Sequence, residues 1–278
     1  MALIAASSLS SSAPLIPLGT SRAVLSRIAQ IFGLVFDEGT FPEQQVCFDA
    51  VLDACRQNRW QLITTCQNEI TKLTDQLGRS LLIYAIDAGE RELSRGLATQ
   101  RITLHTPDKE GNTPFHSAAR AGDVELISIL YRHILLEAKN NKGQTALHVA
   151  IEAGQTDVVR ALLSSGANKE APFLFDNFLL LTPLAYAVVC GQQDSIQLLC
   201  QHINLATITT FLGNLLHLAA YFHQNDTLRY LLREHTQAFK PLLDNKTPEG
   251  HTPLALAVFA ENPHAVYLLK VSGANLET

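Results

Sequence analysis

Apolar and small residues recur along the chain in a ten-residue pattern that occurs seven times. The clearest copy is "TALHVAIEAG", from Thr145 to Gly154, in which apolar residues and alanines lie between a threonine and a glycine. Successive tenth positions are 31, 33, 32, 37, 32 and 38 residues apart, and they are Asn58, Gly89, Gly122, Gly154, Gly191, His223 and Glu261. A period of about 33 residues predicts a solenoid in which each repeat stacks on the next.

Each copy predicts a short helix with a defined start and end. Thr113 and Pro114, like the Thr-Pro pairs at 182 and 252, place a capping hydroxyl before a proline suited to the first helical position. Four of the tenth positions are glycines, which supply the left-handed conformation that ends a helix. One shared position is always alanine, where a small side chain lets neighbouring helices pack closely, at 54, 85, 118, 150, 187, 219 and 257. A second apolar helix follows each copy, as in "VVRALL" at 158, so each repeat is a helical pair.

The period and the start of each copy resemble the ankyrin repeat, whose motif is T-P-L-H-x-A. Two copies match best, with the sequences "DKEGNTPFHSAARAGD" and "NNKGQTALHVAIEAGQ". The resemblance covers roughly Pro42 to Thr278. It implies an all-α, ankyrin-like α-solenoid of about six helix-turn-helix repeats, preceded by a degenerate N-terminal capping pair at the copy that begins at residue 49.

The N-terminal residues differ from the repeats. We predict a disordered Ser-rich segment at residues 1–20, an amphipathic helix and linker at 21–42, and the ankyrin-repeat domain at 43–278. The apolar face of the helix, between Ser21 and Phe36, either docks on the first repeat or attaches to a membrane surface. Docking is the preferred interpretation, because two arginines attract anionic lipid only weakly. An organellar transit peptide is an alternative for the Ser-rich segment.

Composition and motifs argue against several kinds of chemistry. Lys and Arg total 21 against 26 Asp and Glu, so we expect no nucleic-acid partner. The five cysteines form no C-x-x-C pair, which suits a reducing compartment. No nucleotide-binding, hydrolase or zinc motif is present, and we expect no enzyme, cofactor or bound metal. His116, His148 and His217 occupy one repeat position, and the resemblance implies that this histidine bonds backbone in the loop between repeats.

The resemblance also implies that the first helices line a concave face that binds protein. Variable positions on these helices are charged in the early copies, at Asp87, Arg120 and Glu152, and largely apolar in the later ones. We predict that the later residues are exposed and form a protein-binding surface: Tyr186, Val189, Leu218, Tyr221, Phe222, Leu256 and Phe259. The alternative is that single aromatic side chains turn inward.

Two insertions interrupt the regular spacing, before the copies at 182 and 252. The first carries Phe173, Phe175, Phe178 and Leu179, and the second carries Phe239 and Leu242. Such apolar loops either fold back on the repeats or await a partner, and we prefer folding back while keeping Phe173, Phe175 and Phe178 as candidate partner-binding residues. The last second helix, with Val266, Leu269 and Val271, has no polar capping helix after it, so a longer parent protein or homo-oligomerisation through this end are both open.

The function predicted from these features is a non-enzymatic module that binds an unidentified protein partner. The cytoplasm is its expected location, or the host cytosol if it is a secreted bacterial effector, which the many Gln, Asn and His residues suit. The alternative is that the N-terminal segment carries membrane targeting or an enzymatic activity and that the repeats deliver it.

Overall fold

The structure is a computed structural model that describes residues 21–34, 43–201, 203 and 205–275. The predictions for residues 1–20 and for residues 35–42 therefore fall outside the described residues. The chain divides into two compact units between Gln76 and Leu77.

The first unit contains the N-terminal helix and the degenerate first copy. Its helices are α1 (Arg22–Phe32), α2 (Gln44–Arg56), α3 (Trp60–Thr65) and α4 (Gln67–Ile70). The apolar face of α1 buries Leu25, Ile28 and Ala29, and α1 contacts α2 and α4. Since α2 carries the first copy, these contacts confirm the prediction that the N-terminal helix docks on the first repeat.

Other features of the first unit support the same packing. The Arg27 Nε lies 3.0 Å from a carboxylate oxygen of Glu69, which ties α1 to α4. Cys47, Cys55 and Cys66 are buried free thiols, as expected of core positions. No helix in the described part of the chain is long and apolar enough to cross a membrane.

The second unit contains the six predicted helical pairs. They are α5 (Leu81–Asp87) with α6 (Arg91–Thr99), α7 (Pro114–Ala121) with α8 (Val124–Leu130), α9 (Ala146–Glu152) with α10 (Thr156–Ser164), α11 (Pro183–Cys190) with α12 (Gln193–Cys200), α13 (Leu215–Tyr221) with α14 (Asn225–Glu234), and, after the short α15 (Thr236–Phe239), α16 (Pro253–Phe259) with α17 (Pro263–Val271). Each first helix contacts the next first helix in the series α5, α7, α9, α11, α13 and α16. The shared alanines of these helices are buried, which confirms the stacking prediction.

The helix starts and ends follow the predicted signals. Thr182 Oγ1 accepts a hydrogen bond from the amide of Ala185 at 3.4 Å, and Thr252 Oγ1 accepts one from Ala255 at 3.2 Å. Gly191 follows α11 with a φ of 68°. In the three copies that lack this glycine, Asn58, His223 and Glu261 adopt φ values of 55°, 58° and 53°. The left-handed turn is therefore kept without glycine, at a cost of about 1–3 kcal/mol for each residue.

The insertions contain elements that the all-α prediction did not include. β1 (Phe173–Phe175) and β2 (Leu179–Leu181) form an antiparallel hairpin that pairs Phe173 with Leu181 and Phe175 with Leu179. A smaller hairpin, in the loop before the copy at 214 and outside both insertions, joins β3 (Thr209–Thr210) and β4 (Gly213–Asn214). The second insertion contains α15 and a 3₁₀ turn at Lys240–Leu242. Phe173, Leu179 and Phe239 are buried, which confirms the fold-back prediction for these three residues.

We predict that Phe173→Ala lowers the free energy of unfolding by about 3–5 kcal/mol, because it empties a closely packed site. Phe173 is only 4% exposed, and its ring centroid lies 4.7 Å from that of His148 and 4.8 Å from that of Tyr186. Urea unfolding followed by circular dichroism measures the change. The matched control is Phe178→Ala in the same hairpin, where the side chain is 59% exposed and we expect a change below about 0.5 kcal/mol. Equal losses in both variants would contradict the packing described here.

Candidate functional site

The predicted binding residues lie on or beside the first helices, but they differ in exposure. Phe259 is 75% exposed, and Tyr221 and Phe222 are half-buried. Four others are buried, so the prediction that the whole group is exposed is wrong for Tyr186, Val189, Leu218 and Leu256.

The physical reason for the burial is the close spacing of the first helices. Leu218 and Leu256 lie directly after the histidine position of their repeats and face the neighbouring first helix. Ser117 and Val149 occupy this same position in earlier repeats and are also buried. Val189 shares its offset with Arg120 and Glu152, which lie at the surface. Its short side chain ends among the neighbouring helices, whereas long charged side chains extend past them to solvent.

Tyr186 is buried beneath the first hairpin. Its ring centroid lies 4.8 Å from that of Phe173 and 5.7 Å from that of Phe175. The Gln144 Nε2 donates to the Tyr186 hydroxyl at 3.4 Å. Burial, followed by the nearby Cys190 and Glu152, raises the pKa of Tyr186, so the phenol stays neutral.

Aromatic side chains continue from the hairpin to the first helices. Phe175 on β1 lies 6.2 Å from Phe222, and Phe222 lies 5.2 Å from Tyr221, as measured between ring centroids. Phe259 occupies the position of Tyr221 in the following repeat, and α13 contacts α16. We call Phe175, Tyr221, Phe222 and Phe259 the aromatic surface.

The hairpins add exposed apolar residues, most of which the sequence reasoning missed. Leu174 and Leu180 are paired across β1 and β2 and are exposed, as are Phe178 in the turn and Phe211 in the neighbouring hairpin. β2 contacts β3, so the two hairpins are adjacent. The alternation in "FLFDNFLLL" around Asp176 and Asn177 is the signal that could have predicted this hairpin and its outer face.

The charged part of the face is a network centred on Asp87. The Arg120 Nη2 lies 3.2 Å from one carboxylate oxygen of Asp87, and the Arg79 Nη1 lies 3.4 Å from the other. Glu152, one repeat further on, accepts a hydrogen bond from the Gln144 Nε2 at 2.9 Å. The predicted charged residues are therefore at the surface, and the structure brings Asp87 and Arg120 together.

Two of the repeated histidines join one repeat to the next. The backbone amide of Thr113 donates to the His116 Nδ1 at 3.2 Å, and the His116 Nε2 lies 3.0 Å from the Gln144 carbonyl oxygen. His217 makes the equivalent contacts with the Asn214 amide, at 3.1 Å, and with the His251 carbonyl, at 3.1 Å. An Nδ1 that accepts and an Nε2 that donates define a neutral imidazole. The structural role implied by the resemblance is confirmed for His116 and His217.

His148 departs from this pattern because the hairpin follows it. Its Nδ1 accepts from the Thr145 amide at 3.2 Å, but its buried Nε2 has no hydrogen-bond partner in the described part of the chain. Burial lowers the pKa of His148 to about 4, against a smaller opposing effect of the Ala171 carbonyl. No group of three or more His, Cys, Asp or Glu side chains in the described residues could hold a metal ion.

Comparison with known proteins identifies the family. The family model for ankyrin repeats in three copies matches residues 96–173 and 133–210. An ankyrin repeat protein of Rickettsia bellii (strain RML369-C) is 30% identical over 139 residues, which span 49% of this chain and 75% of the relative. The chain belongs to the ankyrin-repeat family.

Solved structures agree with the ankyrin-repeat assignment. The human ASB11 ankyrin repeat domain has a TM-score of 0.58 at 25% identity, over 72% of this chain and 86% of that one. A chain from the complex of the Bd0816 predatory endopeptidase of Bdellovibrio bacteriovorus with the immunity protein Bd3460 has a TM-score of 0.56 at 25% identity, over 68% and 96% of the two chains. The ankyrin repeat domain of Bcl-3 has a TM-score of 0.61 at 23% identity, over 79% and 97%, and shows the fold alone.

The buried neutral histidines predict that acid destabilises the repeats. Burial lowers the pKa of both His148 and His217 from 6.5 to about 4. As the pH falls below about 6.5, these two histidines become protonated in the unfolded chain but stay neutral in the folded chain. The free energy of unfolding is thus highest above pH 6.5 and falls towards pH 4, by about 1.4 kcal/mol per pH unit for each histidine within that window. Urea unfolding at a series of pH values measures the slope.

A pair of variants separates these histidines from the carboxylates that also titrate in acid. His217→Ala lowers stability at pH 7, but it also removes one of the protons that the unfolded chain binds and the folded chain does not. The free energy of unfolding of this variant should therefore fall less steeply between pH 6.5 and 4. Phe178→Ala, which removes an exposed side chain without a titratable group, should leave the slope unchanged. Identical slopes in all three proteins would show that buried histidine does not control the acid response.

Proposed function

We propose that this ankyrin-repeat protein is a non-enzymatic interaction module that binds a partner protein through the first-helix face. The observation that carries the proposal is the aromatic surface, in which Phe259 is largely exposed and lies one repeat beyond the half-buried Tyr221 and Phe222. Exposed aromatic side chains next to charged residues are typical of protein-binding hot spots. The buried Phe173, Tyr186, Val189, Leu218 and Leu256 support this surface from below and are no longer proposed to touch the partner.

The first hairpin extends the proposed surface. Leu174, Phe178 and Leu180 are exposed apolar residues of a two-stranded sheet whose other side packs on Tyr186. A sheet anchored in this way presents a preformed apolar face, so little conformational freedom is lost on binding. Asp87, Arg120 and Glu152 bias the orientation of the partner. In one of the structural neighbours, an endopeptidase is in complex with an immunity protein, which is consistent with use of this fold in protein complexes.

We predict that a Phe178→Asp, Phe259→Asp double variant loses the partner that the intact chain captures from cell lysate. A hot spot of about 2 kcal/mol corresponds to an affinity loss of about 30-fold, and a buried aspartate at each position adds a desolvation cost. Capture followed by mass spectrometry identifies the partner, and titration with the purified partner measures the affinity. Circular dichroism checks that the variant is folded.

The matched control is Tyr267→Asp, which places the same charge on an exposed aromatic residue of a second helix, α17. It should keep the partner. Retention by the double variant, or equal loss by Tyr267→Asp, would remove the first-helix face as the binding surface.

We also propose that the module acts as a secreted effector in the cytosol of a host cell, with the cytoplasm of its own cell as the alternative location. The relative from the bacterium Rickettsia bellii supports a bacterial origin of the chain. The apolar face of α1 is buried against α2 and α4, which argues against the alternative that this helix targets a membrane.

The effector role predicts delivery of the intact chain from a bacterium into a host cell. With a calmodulin-dependent adenylate cyclase fused to the full chain, host cyclic AMP should rise during infection. The same fusion in a strain without a functional secretion system is the control. Equal cyclic AMP in both infections would exclude delivery by secretion.

A further inference from the structure

A small cleft lies between α5 and α7, away from the aromatic surface. It has a volume of about 370 Å³ and is lined by Ile86, Asp87, Ser117, Arg120 and Ala121. These residues come from the first helices of two successive repeats, so the cleft opens on the face that carries the proposed function.

The cleft contains more hydrogen-bond donors than acceptors. Asp87 is the only acidic residue that lines it, and two guanidinium groups already contact this carboxylate. Arg120 uses one N–H for Asp87 and keeps its side chain 47% exposed. A guanidinium has five N–H donors in a planar fork, so those that remain on Arg120 are available to a further acceptor.

A second and independent observation points to the same kind of ligand. Ser117 lines the cleft and is fully buried, and its hydroxyl has no hydrogen-bond partner in the described part of the chain. An unsatisfied buried hydroxyl costs about 1–3 kcal/mol, so an acceptor that reached it would recover this energy. Ser117 and Arg120 belong to one helix, and both residues line this cleft.

We propose that this cleft binds an acidic side chain of the partner protein, with Arg120 and Ser117 as the donors to its carboxylate. A planar carboxylate matches the planar guanidinium fork, which favours it over a tetrahedral phosphate. The proposal rests on the proposed function, because it supplies one polar contact of that same face.

The test uses the isotope-labelled full chain without any partner, so its result does not depend on whether the aromatic surface binds protein. The probe is N-acetylglutamate amide, with potassium chloride at matched ionic strength and inorganic phosphate as comparison. In nuclear magnetic resonance spectra, the glutamate probe should shift the Arg120 Nε–H resonance and the α7 amide resonances. These shifts should saturate as the probe concentration rises. Chloride should produce no saturable shift, and phosphate should bind more weakly than the glutamate probe.

Three variants locate the response. Arg120→Gln should abolish it, and Ser117→Ala should weaken binding about tenfold without lowering the unfolding midpoint, since the hydroxyl has no partner to lose in the folded protein. Arg160→Gln removes an arginine from the second helix α10 as a matched control and should change nothing. A saturable shift that survives Arg120→Gln, or tighter binding of phosphate than of the glutamate probe, would overturn the carboxylate site.

Discussion

The close approach of successive first helices is the constraint on which the rest of the structure depends. Each helix brings an alanine to the same height in the stack, and Ala118, Ala150 and Ala187 are fully buried there. A larger side chain at this position would push two backbones apart, and overpacking of this kind destabilises proteins. Because the contact repeats, the offset of every other residue from the alanine decides whether it meets a neighbouring helix or solvent.

Hydrogen bonds hold the repeats in register once the alanines have set their distance. The Gln224 Nε2 donates to the Val189 carbonyl and the Asn262 Nδ2 donates to the Ala220 carbonyl, each at 3.0 Å, and His116 and His217 add bonds to the loop of the next repeat. These bonds satisfy carbonyls at helix ends and backbone groups of loops that would otherwise remain unpaired inside the stack. At His148 the hairpin replaces the bond to the loop by an aromatic contact with Phe173.

The sequence was sufficient to predict the features that recur in every copy. It was insufficient where contacts with neighbouring elements determine the exposure of a side chain. Period, caps and alanines predicted six helical pairs, because each signal is local. Exposure could not be predicted in this way: Val189 and Arg120 share an offset, but side-chain length determines which of them reaches solvent. Loss of glycine at His223 and Glu261 did not end the pattern, since the next amides, of Gln224 and Asn262, still donate to the carbonyls of Ala219 and Ala257.

Under the proposed function, the two halves of the first-helix face contribute differently to binding. The charged half around Asp87 and Arg120 is solvated, so its attraction to a partner weakens with salt and acts mainly on association and orientation. The aromatic surface contributes binding free energy by excluding water from the interface. It therefore governs the rate of dissociation. A partner that matches only one half would either arrive in the wrong orientation or leave quickly. Selectivity then resides in the fixed distance between the two halves, which the rigid stack of first helices sets.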